Sequence, residues 1–166
     1  SFSACPFSDM YDHANLLIQE KQDISAIIVS GNPFIQFRFG YHLNKKYNIP
    51  WLADYRDAWT TSTINNIGGH KINFLINKYH RFFEKKWIKT TSLITASSAP
   101  IGKSISKITG VPSSAIFNGF EPSDFQDYVS TQKNKNFFQI AYIGTLYSGQ
   151  DISIFIEAFK NFIDKS

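Results

Sequence analysis

A single cysteine, Cys5, stands in 166 residues. One thiol permits no disulfide framework and no cysteine-based metal site within the chain, and it fits a reducing compartment. No His or Asn stands in a known pattern with Cys5, so it reads as inert rather than nucleophilic. Long apolar runs are missing too, and none approaches the roughly twenty residues of a membrane-spanning helix. The opening residues show no signal-peptide pattern. The four histidines, His13, His42, His70 and His80, lie in or beside predicted helices without metal-ligand spacing. They read as surface or packing residues, and no metal is expected. There is no nucleophile elbow, no paired catalytic Ser and His, and no Asp-x-Asp motif. Charge of one sign is not strongly concentrated. Lys and Arg number 17 against 13 Asp and Glu, a net charge of +4. With no binding motif beside that mild charge, nucleic acid is disfavoured as a partner.

What is present describes a globular protein. Hydrophobic residues make up 43% and charged residues 18%, well away from the composition of disordered chains. The 16 Phe are many, but Phe abundance beside plentiful Lys, Asn and Ile accompanies AT-rich coding and carries no functional weight. A predicted helix holds Lys78, Arg81, Lys85, Lys86 and Lys89, with Glu84 among them. The plainer account is a solvated helix face. The functional one is a basic surface that attracts anionic membrane or an anionic substrate. Arg81 is the firm local partner for Glu84, so a modest surface ion pair is expected there.

Along the chain, apolar runs alternate with helical patterns. Residues 10–21 read as a helix, Ser25–Ser30 as a buried β-branched strand, and Phe34–Tyr47 as a helix with Phe34, Phe37, Phe39 and Tyr41 inward. Pro50–Tyr55 follows as a strand entered at a proline. Residues 58–69 are polar and loop-like. His70–Thr90 shows a helical stripe of Ile72, Leu75, Ile76, Tyr79, Phe82, Phe83 and Trp87. Ser92–Ala96 is a strand, and Ser98–Thr109 a helix capped by Ser97 or Ser98 with Pro100 in its first turn. Ser114–Phe117 is a short strand. A polar linker at 121–136 precedes a strand at Phe138–Ile143, a loop at Gly144–Gln150 and an amphipathic helix at Asp151–Ile163. The linker marks a domain boundary, and the roughly thirty residues beyond it are too few for a second domain.

Repeated strand–loop–helix order predicts an α/β fold with a parallel sheet covered by helices on both faces. Ligands of such sheets bind beyond the carboxyl ends of the strands. Asp54, Arg56 and Asp57 form the densest polar cluster, directly after a buried strand. Arg suits phosphate or carboxylate, and Asp can accept a proton from a sugar hydroxyl. The same residues serve equally well as a structural ion pair capping the next loop. Ser30, Gly31 and Asn32 form a strand-to-helix turn that either holds an anion or sugar oxygen or is simply a tight turn. Ser97 sits at the next strand end. Asn118 and Gly119 close the fourth strand, and Asn-Gly is in itself a turn signal. Gly144, Thr145 and Gly149 lie in a glycine-bearing loop between strand and helix, which allows close backbone approach to a phosphate. That loop matches neither the dinucleotide fingerprint nor the P-loop.

Taken in order, IIVSGNPF, IPWLADYRDAWT, LITASS, AIFNGFEPSDF and FQIAYIGTLYSGQDISIFIEAF resemble glycosyltransferase family 4 and its GT-B relatives over about residues 24–163. The resemblance implies two Rossmann-like domains facing a cleft and transfer with retention at the anomeric carbon. The acceptor would lie mainly on the N-terminal domain and the nucleotide sugar on the C-terminal one. Residues 1–120 would then be most of the acceptor-side domain, lacking its first strand. Residues 137–166 would be the first strand–helix unit of the donor-side domain, with Gly144, Thr145 and Gly149 near the donor phosphates.

The resemblance further implies catalytic roles for Asp54, Arg56 and Asp57, and substrate contacts from Ser30, Gly31, Asn32, Ser97, Asn118 and Gly119. Many relatives carry a His-Asp pair where this chain has Arg56-Asp57, which shifts acceptor contact or catalytic assistance to Asp54 or Arg56. The family's Glu-x7-Glu donor element is missing, so no transfer is expected from this chain alone. The implied substrates are a nucleotide-sugar donor, with no cofactor, and a glycan or lipid-linked acceptor of a bacterial surface polysaccharide. The implied location is cytoplasmic, at the inner face of the membrane through peripheral association. The competing expectations are a non-catalytic α/β sugar- or nucleotide-binding module and another GT-B activity such as nucleotide-sugar epimerisation.

Overall fold

The computed structural model describes residues 7–21, 23–62, 71–126, 139–146 and 151–165. The chain divides into two compact units, Ser1–Phe120 and Glu121–Ser166. In the first unit the order is α1 (Ser8–Glu20), β1 (Ile27–Gly31), α2 (Phe37–Tyr47), β2 (Trp51–Tyr55), α3 (Lys71–Ile88), β3 (Leu93–Ala96), α4 (Ala99–Thr109) and β4 (Ser113–Ala115). A 3-10 turn at Phe34–Gln36 leads into α2. The four strands are parallel and lie in the order in which the chain visits them. This is an α/β fold of Rossmann-like kind.

Sequential order dictates where the helices go. Right-handed crossovers that always step in one direction put every connecting helix on the same face. The residues agree. Gly40 of α2 lies against the Trp51 ring, so close that an added Cβ would meet it at 2.4 Å. Gly102 of α4 faces Ser113 and Ala96. Glu84 of α3 meets the Tyr55 hydroxyl. Trp51, Tyr55, Ala96 and Ser113 share one face of the sheet by register and alternation. The core forms there, around Phe37, Trp51, Tyr55, Trp59, Trp87, Ile88, Ile94 and Ile105.

The opposite face carries Ile28, Ser30, Leu52, Asp54, Leu93, Thr95 and Ser114, and among the described residues of this unit no helix covers it. Ile28 there is 71% exposed, and Ile116, just past β4, is 61% exposed. Two expectations are corrected by this. Among the described residues of this unit, helices cover one face rather than both, and β1 is a half-exposed edge strand rather than a buried one. The opening helix does not fill the gap. It lies alongside α2, where Asn15 accepts hydrogen bonds from Tyr47 (2.5 Å) and Lys46 (2.8 Å), and Tyr11 packs on Phe39.

Helix ends follow local chemistry. Asn48 and Gly110 adopt left-handed conformations (φ 57° and 77°) and close α2 and α4. Ser98 occupies the N-cap of α4, with Pro100 in the first turn, but its side chain makes no capping bond. The stripe expected on α3 is rotated. Leu75, Ile76, Tyr79 and Phe82 are exposed, whereas Glu84, Trp87 and Ile88 are buried. The Ile72 side chain, also expected in this stripe, lies outside the described residues.

The second unit holds a 3-10 turn at Pro122–Phe125 inside the expected linker, and α5 (Ser153–Ile163). The strand expected at Phe138–Ile143 is absent from 139–143, and Phe138 itself lies outside the described residues. A strand needs a neighbour to satisfy its backbone N–H and C=O groups, and the described part of this unit offers none. Ile140, Tyr142, Ile152, Phe155 and Phe159 instead line an apolar groove of about 650 Å³.

Candidate functional site

The carboxyl ends of the four strands meet side by side, at Gly31, Tyr55, Ala96 and Ala115. Glycine is required at 31, because a Cβ would come within 2.7 Å of the Phe34 ring and 2.8 Å of the Phe37 ring. The chain leaving β2 is tied to its neighbours on both sides. The Arg56 N–H donates to the Gly31 carbonyl (3.4 Å), and the Ser97 hydroxyl donates to the Arg56 carbonyl (2.8 Å). The Arg56 guanidinium donates to Asn118 Oδ1 at 2.9 Å. Arg56, Ser97 and Asn118, expected as site residues on separate strand ends, therefore form one hydrogen-bonded set. Gly119 follows it in open space.

Asp57 turns to a different neighbourhood. With Asn32, Phe34, Trp59, Asn77 and His80 it lines a concavity of about 730 Å³ between the strand-end loops and α3. Trp59 forms its apolar wall, stacked on Phe34 (centroids 5.3 Å apart, 9° between planes) and 5.7 Å from His80. Exposed Asp57 and Asn32 supply the polar rim. An aromatic wall with carboxylate and amide groups around it suits a polyhydroxylated ligand, which pairs an apolar ring face with hydroxyls.

Asp54 belongs to neither group. By strand alternation it points to the helix-free face of the sheet, one residue out of phase with Tyr55. Its Oδ2 accepts from Ser30 (2.8 Å) and its Oδ1 from Thr95 (2.7 Å). Both carboxylate oxygens are thus engaged by the flanking strands, and Ser30 is drawn away from the turn it was expected to serve. The three residues expected to act together occupy three environments: Asp54 the open sheet face, Arg56 the bridge to Asn118, and Asp57 the concavity.

Sequence reasoning missed the group beneath the site. Glu84 is fully buried, not in a surface pair. It accepts hydrogen bonds from the Tyr55 hydroxyl (3.0 Å) and from the Thr60 hydroxyl. Burial pushes its carboxyl above the usual carboxylate range, against the lowering effect of Thr60, Tyr55 and the Arg81 charge. Burial and the neighbouring Glu84 push the Tyr55 phenol well above its ordinary value. Through Tyr55 and Thr60, Glu84 fixes both ends of the segment that carries Arg56, Asp57 and Trp59. The available signal was its helical phase, one turn before Ile88 and beside Trp87 on what proves to be the inward side.

In the second unit Gly144 adopts φ 149°, and the Thr145 carbonyl accepts from the Tyr142 hydroxyl at 3.2 Å. Gly149 lies outside the described residues. Asp151 Oδ1 accepts from the Ser153 N–H (2.8 Å) and hydroxyl (2.5 Å) at the start of α5. A carboxylate therefore already occupies one of the donors that an incoming phosphate would use. Those bonds lower the Asp151 pKa. Among the described residues no cluster of His, Cys, Asp or Glu could hold a metal ion. No described helix is long and apolar enough to cross a membrane. No family model, curated protein or solved structure matches the chain.

Proposed function

We propose that Ser1–Phe120 forms the acceptor-side unit of a retaining glycosyltransferase of the GT-B type, in which a nucleotide sugar donates a hexosyl group to a glycan or lipid-linked acceptor. The observation that carries this reading is the concavity at the strand ends, where Asp57 and Asn32 face the Trp59–Phe34 stack. Its supports are the position of that concavity beyond the carboxyl ends of a parallel sheet and the ordered motifs described above. In this scheme Asp57 accepts a hydrogen bond from an acceptor hydroxyl, and Trp59 bounds the face of the sugar ring. Arg56 is held by Asn118 and Ser97 at the edge where donor phosphate would approach, and its guanidinium would stabilise charge developing on the leaving diphosphate. Asp54, with both oxygens engaged on the far face, acts as a lashing between strands, so the chemistry rests on Arg56 and Asp57.

The test is saturation-transfer NMR of the 166-residue chain with short glycans and, separately, with UDP- and GDP-sugars. Glycan contacts that vanish in Asp57→Ala are the expected result. Nucleotide-sugar binding at these residues with no glycan contact would point to a nucleotide-binding module and sink the acceptor assignment. The chain alone, which lacks a Glu-x7-Glu element, is expected to show no transfer, and robust turnover by it would refute that part.

A further inference from the structure

Helices α2 and α3 pack against each other, and between them lies a cleft of about 540 Å³. Helical spacing places its residues. Arg38 and His42 stand one turn apart on α2, and Tyr79, Phe83 and Lys86 follow one another along α3 at intervals that share a face. The lining is largely aromatic. Trp59 and Trp87 are almost wholly buried and stack with centroids 6.0 Å apart and 21° between planes. Phe34 extends the stack from Trp59, and Phe83 meets Trp87 at 5.3 Å.

Charge in the cleft has one sign. Arg38 and His42 enter from α2 and Lys86 from α3, and among the described residues that line it there is no Asp, Glu, Asn or Gln. The positive groups converge on one place: burial first, then the Arg38 and Lys86 charges, hold the His42 imidazole below its ordinary range.

The strand-end concavity shares Phe34, Trp59 and His80 with this cleft but has a different rim, in which Asn32, Asp57 and Asn77 can accept hydrogen bonds. Sugar hydroxyls and nucleobase edges need such acceptors, and among the cleft's side chains only tyrosine hydroxyls and imidazole nitrogens supply them. An organic cation, the usual guest of clustered aromatic rings, is repelled by Arg38 and Lys86. A flat apolar body carrying an anion satisfies both sets of groups. Its ring extends the tryptophan stack, and its anion meets a guanidinium and an ammonium.

We propose that the cleft between α2 and α3 binds a small aromatic carboxylate, with its ring against Trp59 and Trp87 and its carboxylate shared by Arg38 and Lys86. Binding there needs neither donor nor acceptor sugar, so it stands or falls separately from the proposed transfer.

The indole N–H resonances of the three tryptophans make the test residue-specific. Trp87 lines the cleft, Trp59 lines both cavities, and Trp51 lines neither, its indole N–H donating to the Thr90 hydroxyl at 3.0 Å. The experiment is an NMR titration of the isotope-labelled 166-residue chain with naphthoate. Trp59 and Trp87 should move while Trp51 stays in place. The neutral alcohol naphthyl methanol should bind roughly tenfold more weakly, and so should naphthoate to Lys86→Gln and to Arg38→Gln, each change removing a charge-assisted hydrogen bond. Lys86 is exposed, and an unmoved Trp51 resonance confirms that each variant folds. Absence of binding, or binding that leaves Trp87 in place, overturns the proposal. Equal affinity for acid and alcohol, or full affinity in both variants, also overturns it, because the cations then play no part. Movement of Trp87 by glucuronate or UMP but not by naphthoate assigns the cleft to a hydroxylated anion instead.

Discussion

Glu84 offers the sharpest test of how the site is held. The substitution Glu84→Ala removes the acceptor for two hydroxyls, Tyr55 and Thr60, in a fully closed environment. Each stranded hydroxyl costs about 1–3 kcal/mol, and the void left behind adds to that. A total loss of about 3–5 kcal/mol is expected, which is a large share of the about 5–15 kcal/mol that holds a typical domain together. The assay is built into the chain. All three tryptophans, Trp51, Trp59 and Trp87, lie in the core of the first unit, so intrinsic fluorescence in a denaturant titration reports on that unit alone.

Glu84→Gln separates charge from shape. The amide can accept from one hydroxyl and donate to the other, so stability at neutral pH should change by no more than about 1 kcal/mol. Its pH response is the diagnostic. Burial raises the folded-state pKa of Glu84 above its ordinary 4.5, so the folded protein keeps this proton to higher pH than the unfolded chain does. The stabilisation from that proton is complete below the unfolded value and is lost as pH rises through the folded one. Within that window the slope reaches at most about 1.4 kcal/mol per pH unit. Glu84→Gln should remove this component while leaving the response of every other acid in place. Parallel pH profiles for wild type and Glu84→Gln, or a loss below about 1 kcal/mol for Glu84→Ala, would refute the reasoning.

Three further outcomes are expected. Gly40→Ala places a Cβ 2.4 Å from the fully buried Trp51 ring, and this overpacking should lower the denaturant midpoint by about 1–3 kcal/mol equivalent. Asp54→Ala strands the Ser30 and Thr95 hydroxyls at a half-buried position; it should cost about 1–2 kcal/mol and leave glycan contacts in the NMR experiment unchanged. Asp57→Ala should do the reverse: it keeps stability within about 0.5 kcal/mol, as an exposed substitution does, and abolishes those contacts.

The alternation of short apolar runs with helical patterns makes all four strands of the first unit legible in the sequence, along with α1 to α4, each within a few residues. Periodicity reports that a face is buried, but not against what. The periodicity of α3 therefore points Leu75, Ile76, Tyr79 and Phe82 inward, although these four are exposed and its buried residues are Glu84, Trp87 and Ile88. The same blindness hid the uncovered sheet face, since Ile28 and Leu52 look like core residues until the strand order is known. At the site, adjacency in sequence was mistaken for adjacency in space. Asp54 and Tyr55 are neighbours in the chain, but a pleat sends their side chains to opposite faces. Glu84 escaped because a charged residue among lysines has the appearance of a surface residue, and only the distant hydroxyls of Tyr55 and Thr60 make its burial tolerable.

Strand order that repeats chain order bears on how the first unit comes to exist. Ser30 and its register partner Asp54 are 24 residues apart, and Asp54 and Thr95 are 41 apart. No strand waits for a distant segment to arrive. Loop-closure cost rises by only about 0.6 kcal/mol per doubling of length, so each pairing is kinetically cheap once its neighbour is in place. A chain emerging from the ribosome can therefore lay down β1, α2 and β2 as a template and add each later strand to an edge already formed. In assembly that ran in the direction of synthesis, the hydroxyls of Ser30 and Thr95 would close on Asp54 one after the other as the sheet grew.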